Sequence, residues 1–205
     1  MRKGVNVFDE VGPLFGTKKE SAVIENFSNS GNPCIFLSHQ STDKAPVVAI
    51  GKYIRNAGID IYMDIGDEDL QAAIAENNYE AITQSIERGI TYSTDLMACV
   101  SATTFHSCWV PYEIGFAKRA KKHLCALRLN DIQNLPSYLS IQAVQKLDGI
   151  SELKAYLKGV KHRRHGVRNV SATFRYMDLL TEGDETDAAL ENFSNTQLLH
   201  RFLDA

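Results

Sequence analysis

The sequence predicts an α/β domain in which helices cover both faces of a five-stranded parallel sheet, a doubly wound, flavodoxin-like arrangement. Two observations predict this fold. Short apolar runs alternate with segments of helical periodicity between residues 33 and 158, and such alternation is typical of βαβ units and a parallel sheet. In addition, polar residues follow three of the apolar runs, at the carboxyl ends of strands where such sheets bind ligands.

The first strand and the first helix of this domain lie between residues 33 and 58. Residues 33–37 form a short apolar run, which predicts a buried strand. Asp43 is predicted to cap the following helix, because Pro46 then falls where no intrahelical amide is needed. Gly58 is expected to end this helix. The apolar positions of its inward face are Val47, Ile50, Ile54 and Ala57.

The remaining elements continue the alternation. Further strands are predicted at residues 59–63, 96–100, 124–129 and, more weakly, 142–147. Further helices are predicted at residues 79–88, 109–122 and 151–158. The polar connection 65–78 is long for a link between a strand and a helix. A loop of this length is often functional rather than a simple turn.

The segments outside the sheet domain are predicted to be helical extensions, so the chain divides into residues 1–30, 31–160 and 161–205. Residues 20–27 are expected to form a short helix, and helices are also predicted up to residue 180 and over 188–203. The basic cluster at 161–168 is interpreted as a solvated helix terminus. A patch that faces another subunit or a nucleotide is the alternative.

Composition narrows the classes of protein that fit this chain. A hydrophobic content of 44% is enough for a sizeable core, and a net charge of -3 gives no electrostatic reason to expect nucleic-acid binding. No apolar run approaches the roughly 18 residues of a membrane helix. Residues 1–15 lack the apolar region of a secretory signal. We therefore expect a cytoplasmic protein without membrane or nucleic-acid partners.

The four cysteines are expected to be reduced. They form no CxxC pair and show no spacing of Cys and His that would predict a metal site. Cys34, Cys99 and Cys125 lie in apolar runs and are expected to be buried in strands. Cys108 lies next to Trp109, and we expect it to be the most reactive of the four thiols.

The segment 107–115, SCWVPYEIG, carries the most informative spacing in the chain. Trp109 and Glu113 stand four residues apart at the start of a predicted helix, so both project from one helix face. An aromatic ring and a fixed negative charge then face one space. This pairing suits a substrate with a flat ring and a developing positive charge. A solvated glutamate that complements the helix dipole is the structural alternative.

Two motifs together resemble the TIR (Toll/interleukin-receptor) domains of bacteria. Residues 36–44, FLSHQSTDK, are similar to the first-strand signature of these domains. A strand that ends at Asp64, an acidic loop, a strand that ends at Ser101 and the Trp109–Glu113 segment then follow in the family's order. The resemblance covers residues 33 to 160, and the flanks match no family that we recognise.

The resemblance implies an activity and a set of site residues. Many bacterial TIR domains cleave NAD at the nicotinamide–ribose bond with a glutamate that corresponds to Glu113, and NAD is then a substrate rather than a cofactor. Trp109 is expected to stack on the nicotinamide or the adenine. Other candidates for substrate contact, with structural roles as their alternatives, follow the strands and comprise Ser38, His39, Asp64 and Ser101.

Three functions compete at this stage. The first is an NAD-consuming enzyme, which hydrolyses NAD or, as in Thoeris antiphage systems, makes a cyclic ADP-ribose signal for a separate effector protein. The second is a non-catalytic adaptor that assembles through TIR–TIR contacts. The third is a nucleoside deoxyribosyltransferase, which also uses a glutamate. No segment outside 31–160 is large enough for a fused effector, which favours the signal-producing enzyme. Homo-oligomers that use the loop 65–78 and the Trp109 helix are also expected.

Overall fold

A single parallel sheet organises the chain in the computed structural model, which describes residues 2–11, 30–63, 76, 78–129, 132–142, 144–166 and 196–204. Its strands are β1 (Cys34–Ser38), β2 (Asp60–Tyr62), β3 (Asp95–Val100), β4 (His123–Arg128) and β5 (Gln145–Asp148). They lie in the order β2-β1-β3-β4-β5, and every neighbouring pair is parallel. The predicted doubly wound α/β fold is therefore confirmed, with strand bounds shifted by at most a few residues.

Helices flank this sheet on both faces. They are α1 (Val7–Val11), α2 (Lys44–Asn56), α3 (Tyr79–Tyr92), α4 (Trp109–Arg119), α5 (Ser137–Ile141), α6 (Gly149–Gly166) and α7 (Thr196–Leu203). The sequence predicts neither α1 nor α5, and it predicts α3 and α6 too short. The helices expected at 20–27, up to residue 180 and over 188–195 lie outside the described residues.

The core consists of two apolar layers, one on each face of the sheet. Ile35 and Leu37 of β1 belong to the layer that α2, α6 and α7 cover, whereas Cys34 and Phe36 belong to the layer against α3, α4 and α5. This alternation follows from the pleat, which points successive side chains to opposite faces. Within the described ranges, no helix combines the length and apolar character that a bilayer span needs.

The ends of α2 test two sequence predictions. Gly58 has a φ of +82°, a left-handed conformation that glycine adopts without strain, and the helix ends just before it as predicted. Asp43 occupies the predicted N-cap position, but its side chain makes no capping hydrogen bond. That prediction is wrong for the side chain, because the Asp43 carboxylate accepts hydrogen bonds from another loop instead.

The described parts of both flanks pack against the sheet domain. Asn6 forms a parallel bridge with Ile61 at the edge of the sheet, and Leu199 of α7 belongs to the core layer under α2 and α6. The basic cluster that contains Arg163 was predicted to be a solvated helix terminus, and Arg163 does not fit that prediction. It lies in α6 and pairs with the buried carboxylate of Asp95, to which the Tyr156 hydroxyl also donates at 2.7 Å.

Candidate active site

The carboxyl ends of β1 and β3 form the edge at which the candidate residues gather. Ser38 is the last residue of β1 and pairs in register with Ala98 of β3. Ser101 follows the end of β3 directly. The strand order reverses direction around β1, and in open parallel sheets such a switch point creates a crevice for ligands. Ser38 and Ser101 therefore lie at the edge where a ligand crevice is expected.

Glu113 is the buried carboxylate of this edge. It lies in the second turn of α4, and only 6% of its surface is exposed. The Ser38 hydroxyl donates a hydrogen bond to a carboxylate oxygen of Glu113. A charge-assisted bond of this kind offsets part of the cost of burying the carboxylate. Glu113 therefore differs from the solvated first-turn glutamate that was the structural alternative.

Trp109 is the first residue of α4, one turn before Glu113. Its indole is partly buried and meets the ring of Tyr112 edge to face, with 6.1 Å between centroids and 88° between planes. The spacing of four residues places Trp109 and Glu113 on the same side of the helix. The packing against Tyr112 restrains the indole on the core layer that α4 covers, and its predicted contact with a flat ring stays a prediction.

The imidazole of His39 is bound to the strand that it follows. The Nδ1 atom of His39 donates to the Leu37 carbonyl oxygen at 3.0 Å, since a carbonyl can only accept. This bond fixes the ring against its own strand. Asp64 lies outside the described residues, so its predicted contact with substrate stays a prediction.

Ser101 belongs to a polar cluster that joins two loops of the crevice. Its hydroxyl donates to Asp43 Oδ2 at 2.6 Å, and Thr103 Oγ1 donates to the same oxygen at 3.2 Å. Thr42 Oγ1 lies 3.1 Å from Thr103 Oγ1. The loop after β1 and the loop after β3 are thereby tied together. Ser101 thus lies at the carboxyl edge of β3 with its hydroxyl bound to Asp43, and its predicted contact with substrate stays a prediction.

Comparison with known proteins agrees with this geometry. The sequence model of the family described as "TIR domain" matches residues 35–161, more than half of the chain. The chain belongs to the TIR domain family. The match spans the sheet from β1 to β5 and most of α6, and it includes Ser38, Ser101, Trp109 and Glu113.

One curated relative of this TIR protein comes from Bacillus cereus (strain MSX-D12) and is named "Probable 3' cyclic ADP-D-ribose synthase ThsB'". The two sequences are 26% identical over 113 residues. The matched region covers 52% of this TIR chain and 57% of the relative, so the chain spans little more than half of that protein.

The cysteines of the TIR protein are distributed as predicted. Cys34, Cys99 and Cys125 are buried, whereas Cys108 is exposed at the N-terminus of α4. Burial raises the pKa of the Cys34 and Cys99 thiols to about 12, and it raises the pKa of Cys125 as well. These three thiols therefore remain protonated and unreactive near neutral pH.

A cavity of about 400 Å³ lies at the opposite, amino-terminal edge of the sheet and is separate from the candidate site. Two carboxylates line it, and both are engaged in ion pairs. Arg2 contacts Asp60 at 2.8 Å, and Arg163 pairs with Asp95. The charges of both carboxylates are therefore compensated within the protein.

Sequence reasoning missed two features of the site. The bridge from Asp43 to Ser101 joins residues 58 positions apart, and the pattern around Asp43 indicates only a helix cap. Tyr138 lies in α5, which the sequence analysis does not predict. Pro136 at the N-cap of this helix was the available signal, because proline is favoured at helix starts.

Proposed function

We propose that this TIR protein cleaves NAD at the bond between nicotinamide and ribose. The observation that supports this proposal most is the buried carboxylate of Glu113, to which Ser38 donates at the carboxyl edge of the sheet. The name of the Bacillus cereus relative, a probable cyclic ADP-ribose synthase, supports the same chemistry. A fixed, buried carboxylate is suited to stabilise a positively charged ribosyl transition state.

In the proposed reaction, the C1′–N1 bond breaks and its electron pair goes to the nicotinamide ring nitrogen. Nicotinamide leaves as a neutral molecule, so its departure requires no general acid. The positive charge develops on the ribose, where Glu113 stabilises it. Trp109 stacks on the nicotinamide or the adenine, while residues at the carboxyl ends of β1, β2 and β3 contact the sugar. These residues are Ser38, His39, Asp64 and Ser101.

We further propose that an internal hydroxyl or ring nitrogen of the ADP-ribose attacks C1′ of the cation and forms a cyclic ADP-ribose isomer. Attack by water gives linear ADP-ribose instead, and whenever the nucleophile is a hydroxyl or water its proton is released to solvent. The relative's name favours cyclisation. The cyclic product would then act as an antiphage signal on a separate effector protein, as the TIR resemblance implies. NAD is consumed as the substrate, and no cofactor is needed for this bond cleavage.

The test is product analysis by mass spectrometry after incubation of the protein with NAD. Nicotinamide together with a product one water lighter than ADP-ribose is the expected result. Linear ADP-ribose as the sole nucleotide product would contradict the cyclase proposal and leave an NAD glycohydrolase. Complete absence of nicotinamide release would contradict the enzymatic proposal and favour an assembly adaptor. Turnover of deoxynucleosides in place of NAD would favour a deoxyribosyltransferase.

A further inference from the structure

Tyr138 lies beside the Glu113 site on a short helix. The helix α5 covers the same face of the sheet as α4, and the rings of Tyr138, Trp109 and Tyr112 pack against one apolar layer. Lys118 Nζ of α4 donates to the Gln142 carbonyl oxygen just after α5 at 3.3 Å. The two helices are thus held side by side, and the negative charge of Glu113 acts on Tyr138.

The Tyr138 hydroxyl is a buried donor without a partner among the described residues. Burial raises the pKa of Tyr138 to about 12, and the negative charge of Glu113 contributes to that rise. The hydroxyl is therefore neutral and able to donate near pH 7. Buried polar groups without partners are rare in folded proteins, because each one loses its hydration without compensation.

We propose that the Tyr138 hydroxyl donates a hydrogen bond to a hydroxyl of the nicotinamide ribose in bound NAD. This inference rests on the proposed function. An ionised carboxylate only accepts hydrogen bonds, whereas a ribose hydroxyl both accepts and donates. One ribose hydroxyl can therefore bridge the two groups, with Tyr138 donating to it and with its own proton directed to Glu113. The bridge places Tyr138 in contact with substrate and orients the sugar against the carboxylate.

The experiment compares the wild type with Tyr138→Phe on NAD and on analogues that lack the 2′- or the 3′-hydroxyl of the nicotinamide ribose. We expect kcat/KM for NAD to fall about tenfold, the usual effect of one lost hydrogen bond to substrate. On one of the two deoxy analogues, wild type and variant are expected to be equal, since the acceptor is already absent. An equal loss on all three substrates, or no loss on NAD, would overturn the inference.

Stability provides a second measurement. Because no protein partner of the Tyr138 hydroxyl exists among the described residues, Tyr138→Phe is expected to keep or raise the Tm. A lowered Tm would show that the hydroxyl serves the fold instead, and would contradict the inference. Tyr112→Phe is the matched control, since the Tyr112 hydroxyl already donates to Glu87. This control is expected to leave the discrimination between NAD and the deoxy analogues unchanged.

The outcomes separate this inference from the proposed function. If the wild type releases nicotinamide and Tyr138→Phe matches it on every substrate, only the role of Tyr138 fails. If the wild type releases none, the proposed function fails and the inference fails with it. Binding can be measured without turnover in Glu113→Gln. The measurement is the rise in Tm that NAD causes in this variant and in the double variant that also carries Tyr138→Phe. A smaller shift in the double variant is expected, and an unchanged shift would contradict the contact.

Discussion

The Ser38 hydroxyl donates a hydrogen bond to the Glu113 carboxylate, which joins the end of β1 to the second turn of α4 across 75 positions of sequence. Both groups are buried, with 1% of Ser38 and 6% of Glu113 exposed. The bond fixes the carboxylate in a defined direction at the crevice. Such preorganisation is what an electrostatic catalyst needs, because the group then does not have to reorient during the reaction.

Ser38→Ala is expected to lower both stability and activity. The variant removes a donor from a buried carboxylate, and hydrogen bonds to charged groups contribute about 1.5–3 kcal/mol. We expect a loss of this size in the free energy of unfolding, measured by urea titration, and a fall of at least about tenfold in nicotinamide release. Ser41→Ala, at an exposed position of the same loop, is the control. Wild-type stability and turnover in Ser38→Ala would show that the bond is unimportant.

Variants of Asp43 can distinguish a role in tying the two loops together from a role in capping α2. Asp43→Ser keeps a side chain that can cap α2, but it is too short to hold the bridge to Ser101 and Thr103. We expect a raised KM for NAD in Asp43→Ser, because the two loops that border the crevice are no longer tied. Asp43→Asn retains an acceptor oxygen and is expected to lie closer to the wild type. A wild-type KM in Asp43→Ser would indicate that the bridge does not shape the site.

Alkaline pH is expected to destabilise the fold through its buried thiols. The pKa of Cys99 is about 12 in the folded protein, against 9.0 as the ordinary value, because of burial and, secondarily, Asp43. The folded state therefore holds the proton more tightly. The resulting stability is complete below about pH 9 and is lost as the pH rises towards 12, by about 1.4 kcal/mol per pH unit for each such thiol.

Urea unfolding at several pH values between 8 and 11 measures this loss. In Cys99→Ala, the free energy of unfolding is expected to fall less steeply with rising pH. The difference from the wild type is the contribution of one thiol. Cys108→Ala changes an exposed thiol and should leave the slope as it is in the wild type. Identical slopes in wild type and Cys99→Ala would contradict the assignment of a raised pKa to Cys99.

Self-assembly of the protein is a further prediction that comes from its sequence. We expect homo-oligomers that use the loop 65–78 and α4, and the exposed ring of Phe105 just before α4 supplies apolar surface there. The rate of nicotinamide release per subunit should then rise with protein concentration, in step with the oligomer fraction from light scattering. Phe105→Ser should weaken this rise. Full activity from a dilute, strictly monomeric sample would contradict the prediction.

Local patterns in the sequence predicted much of the fold and part of the site. Apolar runs and helical spacing predicted all five strands, and the spacing of Trp109 and Glu113 placed both on one helix. The carboxyl-edge rule placed Ser38 and Ser101 at one crevice. Hydrogen bonds between residues far apart in the chain had no such signal in the sequence. The bonds from Tyr156 and Arg163 to Asp95 join residues more than 60 positions apart, and only the packing of α6 on the sheet brings them together.

The most direct measurement is nicotinamide release from NAD by the wild type, Glu113→Gln and Glu80→Gln under identical conditions. Glu113→Gln keeps the size of the side chain and removes its charge, whereas Glu80 is an exposed glutamate of α3 and serves as the control. Removal of one preorganised electrostatic group costs about 10²–10³-fold in kcat. We predict a loss of this order for Glu113→Gln and a wild-type rate for Glu80→Gln. Equal rates in all three proteins would contradict the account of Glu113 as the catalytic carboxylate.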